Sequence, residues 1–227
     1  MLCVPLGDCC VLVKMGDAID DATARSVSRL AAALESRRLA GVQDVVPAFT
    51  TLAVHFDPSR VAGEDPFARV MEWIVAASPA ELSRGGSAGR ELRIPVCYDE
   101  ACAPDLAEVA RLLRMSVEEV VAGHTAVTFR VGAIGFSPGF PYLVGLPAEL
   151  QVPRRATPRT RVPAGSVALG GPFTGIYPSD TPGGWQVVGR TARVLFDPGR
   201  AEPCLLRVGD RVRFVAVPTL AETEETV

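Results

Sequence analysis

The sequence predicts an α+β fold, in which a small N-terminal α/β sandwich precedes a β-rich second part that forms a barrel or a sandwich. Three observations support this prediction. Helix and strand patterns alternate over the first 90 residues. Beyond Thr128, short apolar runs are interrupted every few residues by Gly or Pro. Residues 78–90 are rich in Ser and Gly and are typical of a linker, so we expect domains over residues 1–85 and 86–227.

The first domain is expected to have the order β-α-β-β-α, with both helices on one face of its sheet. Its first helix begins at Asp20 or Asp21 and continues to about Arg38, because apolar residues recur there at helical spacing. Its second helix begins at Asp65-Pro66 and ends near Ala77. The expected strands are Cys9–Met15, Val42–Ala48 and Thr50–Phe56.

The second domain is expected to begin with one strand and two short helices. The first helix starts at Pro104-Asp105 and continues to about Leu113. The second helix opens with the capping box Ser116-x-x-Glu119 and ends near Gly123. The expected strands are Leu92–Cys97, Thr128–Ile134, Val167–Leu169, Gln186–Val188, Val194–Phe196 and Arg211–Val217.

Composition argues against several classes of function. A net charge of −3 argues against nucleic-acid binding, and no apolar run is long enough to span a membrane. The single lysine, Lys14, follows Val13, which excludes a G-x-x-x-x-G-K-[ST] phosphate-binding loop. The N-terminus lacks the basic region of a signal peptide, and six cysteines are too few for a disulfide scaffold. We therefore expect a cytoplasmic protein with reduced thiols and no metal site.

The segment 135–139, Gly-Phe-Ser-Pro-Gly, matches the G-x-S-x-G pattern of a serine-hydrolase nucleophile elbow. We reject a nucleophilic role for Ser137, because the elbow uses the backbone N–H of the next residue and Pro138 has none. Two interpretations stay open. The segment could be a tight structural loop anchored by its aromatic neighbours, or a loop of the same shape that faces a ligand.

Four arginines lie close together in a proline-rich segment that has no acidic residue nearby in the sequence, namely Arg154, Arg155, Arg159 and Arg161. Guanidinium groups without a local counter-charge suit a carboxylate or phosphate ligand, which arginine can bind with two parallel hydrogen bonds. The alternatives are a solvated loop and an interface with acidic residues of another chain.

Two further features allow either a structural or a binding role. Trp185 follows Gly183-Gly184, so it could fill the core or mark a place where the backbone approaches a ligand closely. His124 follows Gly123 at an expected helix end, where a capping role is favoured over a catalytic one.

Six motifs occur in a fixed order in the second domain: G-F-S-P-G-F-P-Y-L (135–143), A-T-P-R-T-R-V-P-A-G-S-V (156–167), G-I-Y-P (175–178), T-P-G-G-W (181–185), G-R-T (189–191) and L-F-D-P (195–198). Together with V-V-P-A-F-T-T-L-A-V-H-F-D-P (45–58), they resemble the family of the 5-oxoprolinase B subunits, also described as allophanate hydrolase subunit 1 and as the sporulation kinase inhibitor KipI. The resemblance extends over nearly the whole chain.

The resemblance implies a cyclophilin-like β-barrel for the second domain, without implying prolyl isomerase activity. It also implies a partner of the carboxyltransferase-like type (the C subunit of 5-oxoprolinase, or allophanate hydrolase subunit 2) and a third 5-oxoprolinase subunit. Such a complex uses ATP to open 5-oxoproline to glutamate, and the ATP site could lie on another subunit. The alternatives are an allophanate hydrolase or urea carboxylase-type subunit, and a regulator that inhibits a histidine kinase.

The resemblance leaves the catalytic residues unassigned, and no metal is expected on this chain. The motifs together with the arginine segment suggest where a small amide substrate would bind. The candidate substrate-binding residues are His124, Phe136, Ser137, Gly139, Phe140, Arg155, Arg159, Arg161, Ser166, Tyr177, Gly183, Gly184 and Trp185.

Overall fold

A computed structural model describes residues 1–83 and 89–222 of the chain. The chain divides into two compact units, Met1–Ala88 and Gly89–Val227, and each unit has its own hydrophobic core. The domain boundary expected after residue 85 lies outside the described residues. Within the described part of the chain, none of the helices combines the length and apolar character that a membrane crossing requires.

The first unit is a four-stranded antiparallel sheet with two helices on one face. Apolar residues alternate along its strands, so that Leu52, Val54 and Phe56 form one core with Leu30 and Ile74 of the helices. This arrangement confirms the expected β-α-β-β-α core, to which an N-terminal strand is added. The strands lie in the order β1-β2-β4-β3 across the sheet. In chain order, the elements are β1 (Leu2–Pro5), β2 (Cys10–Lys14), α1 (Asp21–Ser36), β3 (Val42–Ala48), β4 (Thr51–Phe56) and α2 (Pro66–Ser83).

Helix α2 is longer than expected. It continues to Ser83 rather than ending near Ala77, because the residues after Pro79 include the good helix formers Ala80, Glu81 and Leu82. The expected linker over residues 78–90 is therefore wrong for residues 78–83, while residues 84–88 lie outside the described part of the chain.

The second unit contains a closed seven-stranded barrel and two helices. The strand order is β6-β13-β5-β12-β9-β10-β7, and β7 pairs with β6 to close the barrel. Neighbouring strands are antiparallel except for the parallel pair β5 and β13, and β8 and β11 form a separate two-stranded ribbon. The elements are β5 (Glu91–Cys97), α3 (Leu106–Leu113), α4 (Val117–Ala126), β6 (Thr128–Ile134), β7 (Pro141–Val144), β8 (Arg159–Val162), β9 (Ser166–Gly170), β10 (Phe173–Ile176), β11 (Thr181–Gly183), β12 (Gln186–Arg190) and β13 (Arg211–Val217).

The closed barrel confirms the α+β prediction and decides between a barrel and a sandwich. Side chains alternate across each strand, so the barrel strands contribute to two cores. In β9, Val167 and Leu169 join the main core with the helices, whereas Ala168 packs in a smaller, mostly aromatic core. The smaller core supports the functional site described below.

Two sequence predictions in this unit are wrong. Val194–Phe196 is not a strand, since only Phe196 makes an isolated bridge, to Cys204. Helix α4 does not end near Gly123 but continues to Ala126. Strands β7, β8, β10 and β11 were not predicted, because each is only three or four residues long and β7, β10 and β11 contain Gly or Pro. Pairing with neighbouring strands stabilises such segments despite their weak local propensity.

Candidate functional site

An open pocket of about 190 Å³ lies in the second unit, above the smaller aromatic core. Its wall is formed by five aromatic rings from three separate segments, those of Phe136, Phe140, Tyr142, Tyr177 and Trp185. Arg154, Arg155, Pro158 and the Gly183-Gly184 pair complete the lining. A mostly apolar concavity with a few polar or charged groups is the usual form of a ligand site, and two arginines in the lining favour an anionic ligand.

Phe140 is at the centre of the aromatic wall. Its ring lies edge-to-face with Tyr142, Tyr177 and Trp185, at centroid separations of 5.1, 5.2 and 5.5 Å respectively. Such tilted pairs are a favourable arrangement of aromatic rings, and each adds about 0.5–1.5 kcal/mol beyond the buried area. The wall is therefore expected to be rigid before any ligand binds.

The 135–140 loop presents two of these rings. Phe136 has φ of 71° and Gly139 has φ of 80°, so the chain turns sharply. The turn is fixed by hydrogen bonds from Phe140 N to Ser137 O at 3.0 Å and from Gly135 N to Phe140 O at 3.1 Å. The two open interpretations of this segment are thus compatible, because a tight loop places the exposed ring of Phe136 at the pocket.

The geometry around Ser137 agrees with rejecting it as a nucleophile. Its Oγ is buried and has no hydrogen-bond partner among the described residues. Both ring nitrogens of His124 are occupied by Tyr98 and Thr174, and Ser137 is followed by a turn rather than a helix. The hydroxyl therefore lacks the adjacent base that would activate it.

The glycine pair brings backbone against the aromatic wall. A Cβ on Gly183 would collide with the Tyr177 ring and hydroxyl, so a larger residue there would displace Tyr177. The Gly184 carbonyl accepts a hydrogen bond from Arg155 N at 2.7 Å. Gly183 therefore serves close packing within the site, whereas a Cβ on Gly184 would make only ordinary contacts with Pro158.

The expectation that the arginines lack a counter-charge is wrong. Asp105, which is 3% exposed, accepts a bond from Arg155 Nη1 at 2.8 Å and two bonds from Arg159, each at 2.7 Å. Its Oδ2 also accepts a bond from Val187 N at 2.7 Å. Asp105 lies about 50 residues upstream of these arginines, so the local sequence gives no indication of this contact.

The other two arginines are also engaged. Arg161 Nε donates to Asp180 Oδ2 at 2.7 Å in an exposed pair. The Arg154 guanidinium lies 5.8 Å from the centroid of the Trp185 ring, within the range of a cation–π interaction. Of the four arginines, Arg154 and Arg155 line the pocket.

The pocket places the Tyr177 hydroxyl close to these positive charges. Burial raises the pKa of Tyr177, while a hydrogen bond from the Trp185 backbone and the charge of Arg154 act in the opposite direction. We therefore expect the hydroxyl to be neutral at pH 7 and able to act as a hydrogen-bond donor.

Seven of the thirteen candidate residues line the pocket: Phe136, Phe140, Arg155, Tyr177, Gly183, Gly184 and Trp185. The other six do not line this pocket. His124 and Ser166 are only 1% and 2% exposed, and burial lowers the pKa of His124 to about 3. Gly139 shapes the loop, the Oγ of Ser137 is buried, and Arg159 and Arg161 pair with Asp105 and Asp180.

Asp105, Tyr142, Arg154 and Pro158 belong to the site but were not among the candidates. A sequence signal existed for the last three, because Tyr142 lies in the first recognisable motif and Arg154 and Pro158 lie in the arginine segment. Asp105 gave no such signal. In the described part of the chain, no group of three or more His, Cys, Asp or Glu side chains is arranged to hold a metal ion.

Sequence comparison finds similarity along most of the chain. The family model of the carboxyltransferase domain, subdomain C and D, matches residues 1–206. The chain is 41% identical to the B subunit of 5-oxoprolinase from Escherichia coli O157:H7 over 213 residues, which cover 94% of each protein. It is 39% identical to the B subunit of 5-oxoprolinase from Bacillus subtilis (strain 168) over 219 residues, which cover 93% of this chain and 91% of that protein.

Solved structures share the fold. TTHA0988 aligns with a TM-score of 0.81 at 39% identity over 92% of this chain, which spans only 40% of TTHA0988. PH0987 from Pyrococcus horikoshii aligns with a TM-score of 0.57 at 34% identity, over 98% of this chain and all of that one. The Kluyveromyces lactis urea carboxylase, at 21% identity, shares the fold with a TM-score of 0.72 over 98% of this chain and 22% of that one.

The family model covers most of the chain, and the two bacterial relatives align over nearly their full length. This chain therefore belongs to the family of the carboxyltransferase domain, subdomain C and D, together with the B subunits of 5-oxoprolinase.

Proposed function

We propose that the chain is the B-type subunit of an ATP-dependent 5-oxoprolinase, which hydrolyses the lactam of 5-oxoproline to glutamate. The chain would act with a carboxyltransferase-like second subunit and a third subunit. The observation that carries the proposal is the aromatic pocket with two arginines in its lining. The two bacterial relatives are named as subunits of 5-oxoprolinase, which favours 5-oxoproline among the small anionic ligands that such a pocket could bind.

The chemistry of the pocket supports a carboxylate-bearing substrate over a neutral one. 5-Oxoproline combines a small flat ring, which suits an aromatic wall, with a carboxylate, which suits a guanidinium. Urea has neither feature. Allophanate has a carboxylate but no ring, so it would leave the wall formed by Phe140, Tyr177 and Trp185 uncovered.

This pocket is small for ATP. A volume of about 190 Å³ is below the roughly 300–1,000 Å³ of typical ligand sites, and ATP is larger than most such ligands. We expect ATP to bind on another subunit of the complex, and we assign this chain no role in phosphate transfer.

The test is reconstitution of the complex from this chain and its two presumed partner subunits. With ATP and 5-oxoproline present, we expect glutamate and phosphate to form, and omission of this chain should abolish glutamate formation. An unchanged rate without this chain would contradict the proposal. Allophanate and urea, offered in place of 5-oxoproline, should give rates at least tenfold lower, and a preference for either would reassign the substrate.

A regulatory role is tested separately. If the chain instead inhibits a histidine kinase, it should reduce kinase autophosphorylation when no partner subunit is present. We expect no such reduction, because the pocket provides a small-molecule site and a kinase inhibitor does not need one.

A further inference from the structure

Arg155 is a pocket residue with most of its hydrogen-bonding capacity unused. Its side chain is 33% exposed. Within the described residues, that side chain makes one hydrogen bond, from Nη1 to Asp105, although a guanidinium has five N–H donors. Its Nε is buried and has no acceptor among those residues. A buried donor without a partner is rare in native proteins and indicates a functional role or a missing partner.

Arg159 is a useful contrast, because it pairs with the same carboxylate and is occupied by it. Its Nη1 and Nη2 donate to the two oxygens of Asp105, each at 2.7 Å, in a bidentate pair. This hydrogen bonding with Asp105 raises the pKa of Arg159. Arg159 does not contribute to the pocket wall, whereas Arg155 does. One carboxylate thus holds a structural arginine and an arginine with free donors.

We propose that Arg155 binds the carboxylate of a small cyclic substrate whose ring lies on the aromatic wall, and that Asp105 is the positioning residue that orients Arg155. The identity of the ligand as a five-membered lactam rests on the proposed function. The location of the carboxylate-binding group rests on this chain's own geometry.

The orientation of Arg155 is fixed from two sides. Its backbone N donates to Gly184 O at 2.7 Å, which joins the arginine segment to the glycine pair. Its guanidinium is held by Asp105, which is in turn attached to β12 through Val187 N at 2.7 Å. A charged group held before the ligand arrives loses little conformational entropy on binding. Arg154, over Trp185, adds a second positive charge to the pocket lining.

Among the unpartnered buried atoms of the described residues, Arg155 Nε is the one that belongs to the pocket lining. In the part of the chain that the structure describes, the buried polar side-chain atoms without a hydrogen bond are Ser137 Oγ, Arg155 Nε and Gln186 Oε1. Of these three residues Arg155 lines the pocket, whereas Ser137 and Gln186 are only sequence neighbours of the lining residues Phe136 and Trp185. An unsatisfied buried polar group is costly, so an arginine of the pocket lining that carries one is suited to meet an acceptor group of a ligand.

The test measures direct binding of two probes to the full chain by calorimetry. The probes are 5-oxoproline and 2-pyrrolidinone, which has the same lactam ring without the carboxylate. We expect the wild-type chain to bind 5-oxoproline about 10- to 100-fold more tightly, the range for one charged hydrogen-bonded contact. Arg155→Gln should remove this preference, and Arg155→Lys should restore part of it, because lysine keeps the charge without the planar fork.

Arg111→Gln is the matched control, because Arg111 is an exposed arginine of α3 that pairs with Glu108 and is not part of the pocket lining. It should leave the preference unchanged. If Arg155→Gln keeps the preference, or if the wild-type chain binds neither probe, the inference is overturned.

Activity of the reconstituted complex separates the inference from the proposed function. If the complex forms glutamate and Arg155→Gln leaves its KM unchanged, the inference fails and the proposed function stands. If no glutamate forms although the chain binds 5-oxoproline through Arg155, the proposed function fails and the binding site stands.

Discussion

At the residue scale, Tyr98, His124 and Thr174 form a hydrogen-bonded chain inside the second unit. Tyr98 Oη lies 2.8 Å from His124 Nδ1, and His124 Nε2 lies 3.0 Å from Thr174 Oγ1. The Thr174 hydroxyl donates to Ala168 O, so it accepts from His124 Nε2–H, and Nδ1 accepts from Tyr98. Every polar atom of the neutral ring is thus satisfied, and the ring also stacks on Phe214 at 4.6 Å.

This environment makes stability depend on pH. Burial lowers the pKa of His124 to about 3, from 6.5 in an unfolded chain. Between these values the unfolded chain binds more protons, so the folded state loses stability as the pH falls below 6.5. We expect this one residue to account for a loss of about 1 kcal/mol between pH 7.5 and 5.5, measured by urea unfolding.

His124→Gln should remove this component of the pH dependence, although it lowers stability at every pH through lost packing. His55→Gln is the control, because His55 is the other histidine and lies in the first unit. If His124→Gln unfolds with the same pH dependence as the wild type, the ring is not buried in the neutral state.

At the element scale, the start of helix α3 has an unusual arrangement. Asp is among the best N-cap residues, and Asp105 stands at the N-cap of α3. Its side chain nevertheless makes no capping hydrogen bond. It turns instead toward Arg155, Arg159 and Val187 N. The sequence correctly predicted a helix beginning here, but the local pattern could not show that the carboxylate joins the helix to β12 and to the arginine segment.

Replacement of Asp105 should therefore cost far more than the loss of a cap. We expect Asp105→Ala to lower the free energy of unfolding by about 2–4 kcal/mol, measured by urea unfolding. This expected loss is smaller than the loss on breaking a fully buried ion pair, because Arg155 and Arg159 remain partly exposed to water.

The matched control is Glu108→Ala, which removes a carboxylate of the same helix from its exposed pair with Arg111. This change should cost about 1 kcal/mol or less. Equal losses for the two variants would show that the Asp105 cluster contributes no more than a surface ion pair.

At the scale of the whole molecule, each unit has the features of an independently folding domain. The core of the first unit contains residues of that unit alone, and the same is true of the two cores of the second unit. The barrel closes through the pairing of β6 with β7, so its strands do not depend on another domain for closure. The pocket and Asp105 both lie in the second unit.

We therefore expect a fragment of residues 89–227 to fold alone in a single cooperative transition, observed by near-UV circular dichroism and thermal unfolding. The fragment should bind 5-oxoproline about as tightly as the full chain, because it contains the whole pocket. We expect the two affinities to agree within about threefold, which corresponds to a difference in binding free energy of about 0.7 kcal/mol. A fragment without cooperative unfolding would show that the barrel needs the first unit.

The sequence by itself determined the elements whose signal is local. The helical apolar spacing in α1, the alternation in β4 and the capping box of Ser116 each depend on residues a few positions apart, and the structure confirms all three. The ordered motifs also placed the chain in its family, because they extend over many positions.

Only the tertiary structure decided the closure of the barrel, the burial of His124 and the roles of the arginines. Arg155 and Arg159 contact Asp105 across 50 and 54 residues of sequence. A local pattern reports periodicity and propensity but not which distant group arrives beside a charge. The sequence therefore determined that an arginine-rich segment lies beside an aromatic motif, while the fold determined which arginine keeps free donors in the pocket.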